Sequence, residues 1–264
     1  MASWTASRIP SQAGRVAVVT GANTGIGYET ARLLAQNGAN VILACRSEQR
    51  GADAVRRIEA TSPSGSVELI RLDLSDLDSV RSFADAFRVS HDRLDLLINN
   101  AGVMMPPEAT TAQGFELQFG VNVIGHFALT GLLIDLLTAT PGSRVVSVSS
   151  LAHRQGAIDF DNLRGEKDYN ATREYCQSKL GNLMMAIELQ RRLAEAGHGT
   201  VSIGAHPGFT ATDLQRHSPL WNRLVGLWSN DPETGSLPTL YAATAPEAVP
   251  GGYYGPKGFY EARG

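Results

Sequence analysis

The sequence has few of the features that would set it apart from ordinary globular proteins. Its 264 residues include two cysteines, Cys45 and Cys176, which are too few for a disulfide framework. The 23 basic residues are outnumbered by 26 acidic ones, so no basic excess is present to neutralise a nucleic-acid backbone. We therefore expect reduced thiols and no nucleic-acid partner.

Long apolar stretches are also missing. No run of about 18 apolar residues occurs that would span a membrane, and Met1 to Gly14 lacks the apolar core of a signal peptide. The six histidines have no metal-ligand spacing with each other or with cysteine, so we expect no metal site. These absences predict a soluble, cytoplasmic protein without a membrane partner.

Apolar, β-branched runs alternate with helical segments along the chain. Six runs are predicted to be buried strands: 16–20, 41–45, 67–74, 94–99, 144–149 and 201–205. Helices are predicted at 26–37, from Ser75 onward, at 115–137 and at 172–196. Ser75 and Asp78 come close to a capping box, and Gly38 and Gly197 are expected to end the first and the last of these helices. This alternation is typical of one α/β domain over 1–264, a Rossmann-like doubly wound parallel sheet with helices on both faces.

A glycine-rich loop joins the first predicted strand to the first helix. It reads Thr20-Gly21-Ala22-Asn23-Thr24-Gly25-Ile26-Gly27. Glycines at such a junction let the backbone turn tightly and approach a pyrophosphate, whose charge is stabilised at the helix N-terminus. Taken alone, the loop is also compatible with a structural turn.

A tyrosine and a lysine share one face of the predicted helix 172–196. Tyr175 and Lys179 are four residues apart, so their side chains point the same way. A free tyrosine titrates near about pH 10. A nearby ammonium favours the phenolate, so we expect Lys179 to lower the pKa of Tyr175 and make it a general acid or base. An exposed helix face is the alternative reading.

The motifs, in their order, resemble the short-chain dehydrogenase/reductase family over about residues 14–210. They are the glycine loop, Asn99-Asn100-Ala101-Gly102, Asn122, Ser149-Ser150, Tyr175-Cys176-Gln177-Ser178-Lys179 and Pro207-Gly208. Within the family they are most similar to the retinol-dehydrogenase-like members. The resemblance implies hydride transfer between a nicotinamide cofactor and a carbonyl or alcohol carbon.

The same resemblance implies a role for each candidate residue. Tyr175 would exchange the proton of the substrate oxygen, Ser150 would position that oxygen, Lys179 would hold the cofactor ribose, and Asn122 would hold a water that links Lys179 to solvent. The implied cofactor site contains Gly21, Asn23, Thr24, Gly25, Ile26, Gly27, Asp73, Leu74, Asn99, Ala101, Gly102, Tyr175, Lys179, Pro207, Gly208 and Thr212. The long gap between Ser150 and Tyr175 implies an inserted loop at about 154–171.

The end of the second strand indicates which nicotinamide cofactor is used. Folds that prefer NAD place an acid there to bind the ribose 2′-hydroxyl. This sequence has Arg46 and Ser47 at that point and no carboxylate. A guanidinium suits a 2′-phosphate, so we expect NADP(H) and regard NAD(H) as the less favoured cofactor. A solvated loop arginine is the alternative.

The segment 209–235 is predicted to be a flap over the substrate, since it is rich in apolar residues and follows the sixth strand. Val103, Met104, Met105 and Leu151 are predicted to form the opposite wall. We expect a small hydrophobic aldehyde, ketone or alcohol as substrate. Cys176 and His206 are expected to pack rather than react. A non-catalytic NADP-binding redox sensor is the alternative function. The family resemblance implies a homodimer or homotetramer formed through helices 115–137 and 172–196.

Overall fold

The structure is a computed structural model that describes residues 4–210 and 230–258. Its strands are β1 Val16–Thr20, β2 Asn40–Cys45, β3 Ser66–Arg71, β4 Leu96–Asn99, β5 Arg144–Val148, β6 Val201–Ala205 and β7 Tyr253–Tyr254. They form one sheet in the order β3-β2-β1-β4-β5-β6-β7, and every neighbouring pair is parallel. The predicted parallel α/β fold is confirmed.

Helices cover the sheet. They are α1 Gly25–Gln36, α2 Glu48–Glu59, α3 Leu77–Ser90, α4 Leu117–Ala139, α5 Ala171–Glu195 and α6 Pro232–Thr244. A π-helical turn, Gly120–Gly125, interrupts α4, and short 3-10 helices occupy Ala6–Arg8 and Leu151–Gln155. Helix α2 was not among the predicted helices. Its buried face is formed largely by small residues, Gly51 and Ala54, together with Ile58.

Side chains of each central strand point alternately to two cores, as the twofold periodicity of a strand requires. Val19 of β1 belongs to one core with Leu34 of α1. Its neighbour Val18 belongs to the other core with Phe83 of α3 and Leu133 of α4. Helices therefore lie on both faces of the sheet, which confirms the doubly wound arrangement.

Two predicted boundaries need correction. The third strand ends at Arg71, not at 74. Helix α3 is capped by Asp76, whose carboxylate accepts from the Asp78 amide at 3.0 Å. Ser75 precedes the cap by one residue, and its hydroxyl donates to Asp73 Oδ1 at 2.6 Å. The predicted glycine ends are confirmed, with φ of +101° at Gly38 and +72° at Gly197.

Helix α6 and strand β7 were not predicted. Pro232 stands in the first turn of α6, where its missing N–H is tolerated. Asp231 caps that helix by accepting from the Thr234 amide at 2.9 Å. The two residues of β7 are too few to show a periodicity. Most of the predicted flap 209–235, including Thr212, lies outside the described residues.

Helix α4 is long and apolar enough to cross a membrane by length and composition. More than half of its apolar window is buried in the protein, including Leu129, Leu133 and Leu137. Burial of this kind is typical of a core helix. The predicted cytoplasmic location and absence of a membrane partner stay predictions.

Candidate active site

A cavity of about 500 Å³ opens at the carboxyl ends of the strands. Strand β1 lies between β2 and β4, so the order in which the chain adds strands reverses there. Ligands of open α/β sheets bind in the crevice at such a switch point. Loops that follow β1, β2, β4, β5 and β6 all contribute to the cavity wall.

The glycine loop brings the N-terminus of α1 against this cavity. Gly21 has a φ of +68°, and its amide donates to the Ala44 carbonyl at 2.8 Å. At Gly27 a β-carbon would collide with the Gly21 carbonyl and with the side chain of Asn100. Glycine at these two positions therefore permits both the turn and the close packing of α1 on the loop after β4.

The start of α1 is chemically suited to a pyrophosphate. Its first turn contains no acidic residue and receives no side-chain cap. The amides of Gly25, Ile26 and Gly27 belong to that first turn, where no intrahelical carbonyl accepts from them, and these residues line the cavity with Asn23 and Thr24. A helix N-terminus of this kind attracts an anion. The loop residues that were predicted to bind the cofactor, Gly21 and residues 23–27, thus all lie on the cavity wall.

Two arginines, Arg46 and Arg50, line the cavity near the end of β2. Both are exposed, and Arg50, in the first turn of α2, was not predicted. Ser47 does not line the cavity, and its hydroxyl caps α2 by accepting from the Arg50 amide at 3.3 Å. The predicted contribution of Ser47 to the cofactor site stays a prediction.

The loops after β3, β4 and β6 bring most of the remaining predicted cofactor residues to the wall: Asp73, Leu74, Ala101, Gly102, Pro207 and Gly208. Asn99 is the exception. Its side chain is buried and donates to Thr130 Oγ1 at 3.0 Å, away from the cavity. The next residue, Asn100, lines the cavity instead and donates to the Thr20 carbonyl at 2.8 Å.

Two serines follow β5, and the structure separates them. Ser149 Oγ donates to the Lys179 carbonyl at 2.7 Å, which ties β5 to α5. Ser150 begins the short helix Leu151–Gln155, and its hydroxyl accepts from the Ala152 amide at 3.2 Å. It also forms a hydrogen bond with Tyr175. Ser150, rather than Ser149, is therefore placed to hold an oxygen atom beside Tyr175.

Tyr175 and Lys179 lie together on the buried face of α5. The Lys179 ammonium is 5.7 Å from the centre of the Tyr175 ring and donates to the Val148 carbonyl at 3.2 Å. Burial raises the pKa of Tyr175 to about 12, against the opposing effect of the hydrogen bond with Ser150. Burial also lowers the pKa of Lys179 to about 8. Desolvation dominates in the protein alone. The lowering of the tyrosine pKa was expected from Lys179 acting together with a positively charged nicotinamide ring, and it stays a prediction.

Comparison with known proteins agrees with this geometry. Residues 15–223 match the family described as short chain dehydrogenase. The chain belongs to this family. It is 48% identical to human retinol dehydrogenase 11 over 233 residues, which cover 87% of this chain and 73% of that protein. It is thus a retinol-dehydrogenase-like oxidoreductase of a family that binds a nicotinamide cofactor.

Two solved structures resemble this short-chain dehydrogenase closely. An uncharacterised protein from Mycobacterium paratuberculosis matches with a TM-score of 0.83 and 41% identity, covering 100% of this chain and 87% of that one. RhlG of Pseudomonas aeruginosa, solved as an active-site complex with NADP, matches with a TM-score of 0.74 and 26% identity. That match covers 92% of this chain and 95% of the other.

In this short-chain dehydrogenase Asn122 is buried in the π-helical turn and does not line the cavity. Its Oδ1 accepts from the Val103 amide at 2.8 Å, and its Nδ2 donates to the Val103 carbonyl at 3.0 Å and to Ser178 Oγ at 2.9 Å. The side chain therefore clamps the loop after β4 to α5. Its implied role in holding a water stays a prediction.

His126 was not recognised as part of the site. It is fully buried, with Nδ1 2.9 Å from the Asn122 carbonyl and Nε2 2.9 Å from Thr20 Oγ1. A carbonyl only accepts, so Nδ1 carries the proton and Nε2 accepts from Thr20. Burial lowers the pKa of His126 to about 4, which keeps it neutral. Thr20 Oγ1 in turn accepts from the Asn100 and Ala101 amides, both at 2.9 Å.

The part of the cavity beside Ser150 and Tyr175 is apolar. The four predicted wall residues all line it: Val103, Met104, Met105 and Leu151. Phe209 and Val121 join them. Cys176, which was expected to pack rather than react, is buried and also lines the cavity. It does both because α5 is covered on more than one face, since every residue from Glu174 to Lys179 is buried. Its lack of reactivity stays a prediction.

Proposed function

We propose that this chain is an NADP(H)-dependent dehydrogenase/reductase that interconverts hydrophobic aldehydes or ketones with their alcohols. The observation that carries the proposal is the meeting of two surfaces around one cavity. A cationic and glycine-lined surface lies at the ends of β1 and β2, and an apolar surface lies beside Ser150, Tyr175 and Lys179. The first suits a dinucleotide, and the second suits an apolar substrate.

The cofactor would be held by groups already present on the wall. The first-turn amides of α1 suit its pyrophosphate, and Arg46 and Arg50 suit a 2′-phosphate because they supply charge-assisted hydrogen bonds. Directly after β2, where an acid would accept from a free 2′-hydroxyl, the chain has Arg46 and Ser47 instead of a carboxylate. The NADP complex of RhlG supports the same assignment. When bound, the nicotinamide ring donates or accepts a hydride.

Side chains of the protein would then donate the proton and position the substrate oxygen. Tyr175 is protonated at neutral pH because burial raises its pKa to about 12, so it can donate a proton to the oxygen of a carbonyl substrate. Ser150, which is hydrogen-bonded to Tyr175, would hold that oxygen in place. Lys179, with its pKa lowered to about 8, still carries a charge at pH 7 and would favour the tyrosinate left behind.

The apolar wall supports the substrate class. Among the described residues, the charged ones that line the cavity are Arg46, Arg50, Asp73 and Lys179. The first three follow β2 and β3, at the expected cofactor end, and Lys179 lies beside Tyr175. The name of retinol dehydrogenase 11 also indicates a hydrophobic alcohol as the substrate of that relative. Retention of both Tyr175 and Lys179 at one cavity favours turnover over a redox-sensing role.

A spectrophotometric screen tests this proposal. Wild-type protein and NADPH are mixed with a homologous series of straight-chain aldehydes, and NADPH oxidation is recorded. We expect kcat/KM to rise with chain length, since each buried methylene contributes about 0.8 kcal/mol of binding. A flat dependence or a preference for small carbonyl acids would contradict the substrate class. Binding of NADPH without turnover of any carbonyl would favour the redox sensor.

A further inference from the structure

The inserted segment 154–171 lies next to an unusual stretch of backbone on the cavity wall. In the ranges 4–210 and 230–258, the non-glycine residues with positive φ are Ser62, at +52°, and Met105, at +48°. Ser62 is exposed in a turn, whereas Met105 lines the apolar part of the cavity. A left-handed backbone is unfavourable for methionine and persists only where its surroundings hold it.

Gln118 holds this stretch from behind. Its Oε1 accepts from the Met105 amide at 2.8 Å, and its Nε2 donates to the Ala171 carbonyl at 2.9 Å. Gln118 is completely buried and does not line the cavity. We call the stretch of cavity wall at Val103, Met104 and Met105 the Met105 wall. The amide group of Gln118 therefore connects the Met105 wall to the first residue of α5, the helix that carries Tyr175.

Tyr169, near the end of the inserted segment, binds the backbone at Pro106, the residue after Met105. Its hydroxyl donates to the Pro106 carbonyl at 2.7 Å and lies 3.4 Å from Gln118 Nε2. The carbonyl of Pro106 and the amide of Met105 are thus both bound to side chains outside the cavity. These two contacts restrain the backbone on each side of the Met105 carbonyl.

We propose that Gln118 and Tyr169 are positioning residues that fix the Met105 wall relative to Tyr175, so that the inserted segment determines how tightly the pocket binds an apolar substrate. The apolar nature of the substrate is taken from the proposed function. The coupling between Gln118, Tyr169 and the wall is independent of the proposed function. That coupling can be measured in the protein without turnover.

The test compares four variants with the wild type. Gln118→Leu removes both amide contacts, and Tyr169→Phe removes one hydroxyl while keeping the ring. Gln190→Leu is the matched control, because Gln190 Oε1 also accepts a backbone amide, that of Ser202 at 2.8 Å, but does so away from the cavity. The double variant Gln118→Leu/Met105→Gly asks whether glycine, which adopts positive φ without support, restores the wall.

Amide hydrogen exchange of the peptide containing Met105 and calorimetric binding of 1-decanol are the two readouts. We expect faster exchange and about tenfold weaker 1-decanol binding in Gln118→Leu, because the backbone at Met105 is then no longer held in place before the ligand binds. A smaller change in the same direction is expected in Tyr169→Phe, no change in Gln190→Leu, and partial recovery of binding in the double variant. NADPH affinity stays at the wild-type value throughout.

Wild-type exchange and wild-type 1-decanol affinity in both Gln118→Leu and Tyr169→Phe would overturn the inference. So would faster exchange with unchanged affinity, because the wall would then not control binding. If Gln118→Leu does not fold, Tyr169→Phe decides alone. Failure of 1-decanol to bind the wild type would contradict the apolar substrate class, and the exchange comparison would then decide the coupling by itself.

Discussion

Tyr175 is the residue on which the proposed chemistry depends. It is 7% exposed, hydrogen-bonded to Ser150 and one helical turn from Lys179, with its pKa raised to about 12 by burial. These surroundings keep its proton in place at neutral pH and direct it toward the apolar part of the cavity. They suit a general acid for carbonyl reduction better than a surface tyrosine would.

Replacing Tyr175 with phenylalanine should remove the proton donor and keep the ring. We expect Tyr175→Phe to lower kcat by at least about a hundredfold, with NADPH affinity nearly unchanged. The measurement is steady-state kinetics beside a fluorescence titration of NADPH. Tyr241→Phe is the control, because that ring packs against Trp4 and does not line the cavity. Retained activity in Tyr175→Phe would exclude Tyr175 from the mechanism.

Arg46 and Arg50 should determine the choice of cofactor. We expect the wild type to bind NADPH more tightly than NADH, and Arg50→Ala to weaken NADPH binding by about tenfold while NADH binding stays the same. Arg46→Asp should shift the preference toward NADH, because a carboxylate repels the 2′-phosphate. Arg81→Ala, which alters an exposed arginine of α3 off the cavity wall, is the control in these titrations. Equal or tighter NADH binding by the wild type would contradict the assignment.

His126 should make the fold sensitive to acid. Burial lowers its pKa from 6.5 to about 4, so between these values the unfolded chain takes up a proton that the folded protein does not. Stability therefore falls as the pH drops from about 6.5 to about 4, by up to about 3 kcal/mol. Urea unfolding of the wild type and His126→Gln across this range measures the difference. Parallel pH profiles for the two proteins would contradict the prediction.

At the scale of elements, the start of α5 fixes the position of Tyr175. Asn170 caps this helix, and its Oδ1 accepts from the amides of Thr172 at 3.1 Å and Arg173 at 3.0 Å. We expect Asn170→Ala to destabilise the protein by about 1 kcal/mol, and Asn170→Asp to keep most of that stability because aspartate caps equally well. Thermal unfolding measures both. Equal unfolding temperatures for Asn170→Ala and the wild type would show that the cap contributes nothing.

Elements with a clear periodicity could be predicted from the sequence, and elements defined by their neighbours could not. Strands β1, β2, β5 and β6 are apolar runs, and they fall within one residue of their predicted bounds. Strand β7 has two residues and is a strand only because β6 supplies its partner. The N-terminus of α3 was misplaced because Ser75 and Asp76 are both good caps. In the structure Asp76 caps the helix, and the Ser75 hydroxyl binds Asp73.

At the scale of the whole molecule, the parallel topology explains why the site could be predicted. Parallel strands bring their carboxyl ends to one edge, so residues far apart in sequence, such as Gly21, Ser150 and Pro207, meet around one cavity. What the sequence could not provide is the degree of burial. Desolvation raises the pKa of Tyr175 against the expected effect of Lys179, and close packing brings Cys176 to the wall.

Oligomeric state is the other property of the whole molecule for which a prediction was made. Phe127 of α4 is 66% exposed, and Met184 and Ile187 of α5 are 48% and 52% exposed. These apolar side chains lie on the two helices that suggested a homodimer or homotetramer. The oligomeric state stays a prediction.

We propose that this protein transfers a hydride from NADPH to the carbonyl carbon of an apolar substrate. Isotope transfer tests this step: NADPH deuterated at the transferring position of the nicotinamide is mixed with decanal, and the product is analysed by mass spectrometry. We expect monodeuterated 1-decanol from the wild type and almost none from Tyr175→Phe. Unlabelled alcohol, or no alcohol at saturating NADPH, would show that the hydride does not pass from NADPH to the carbonyl carbon.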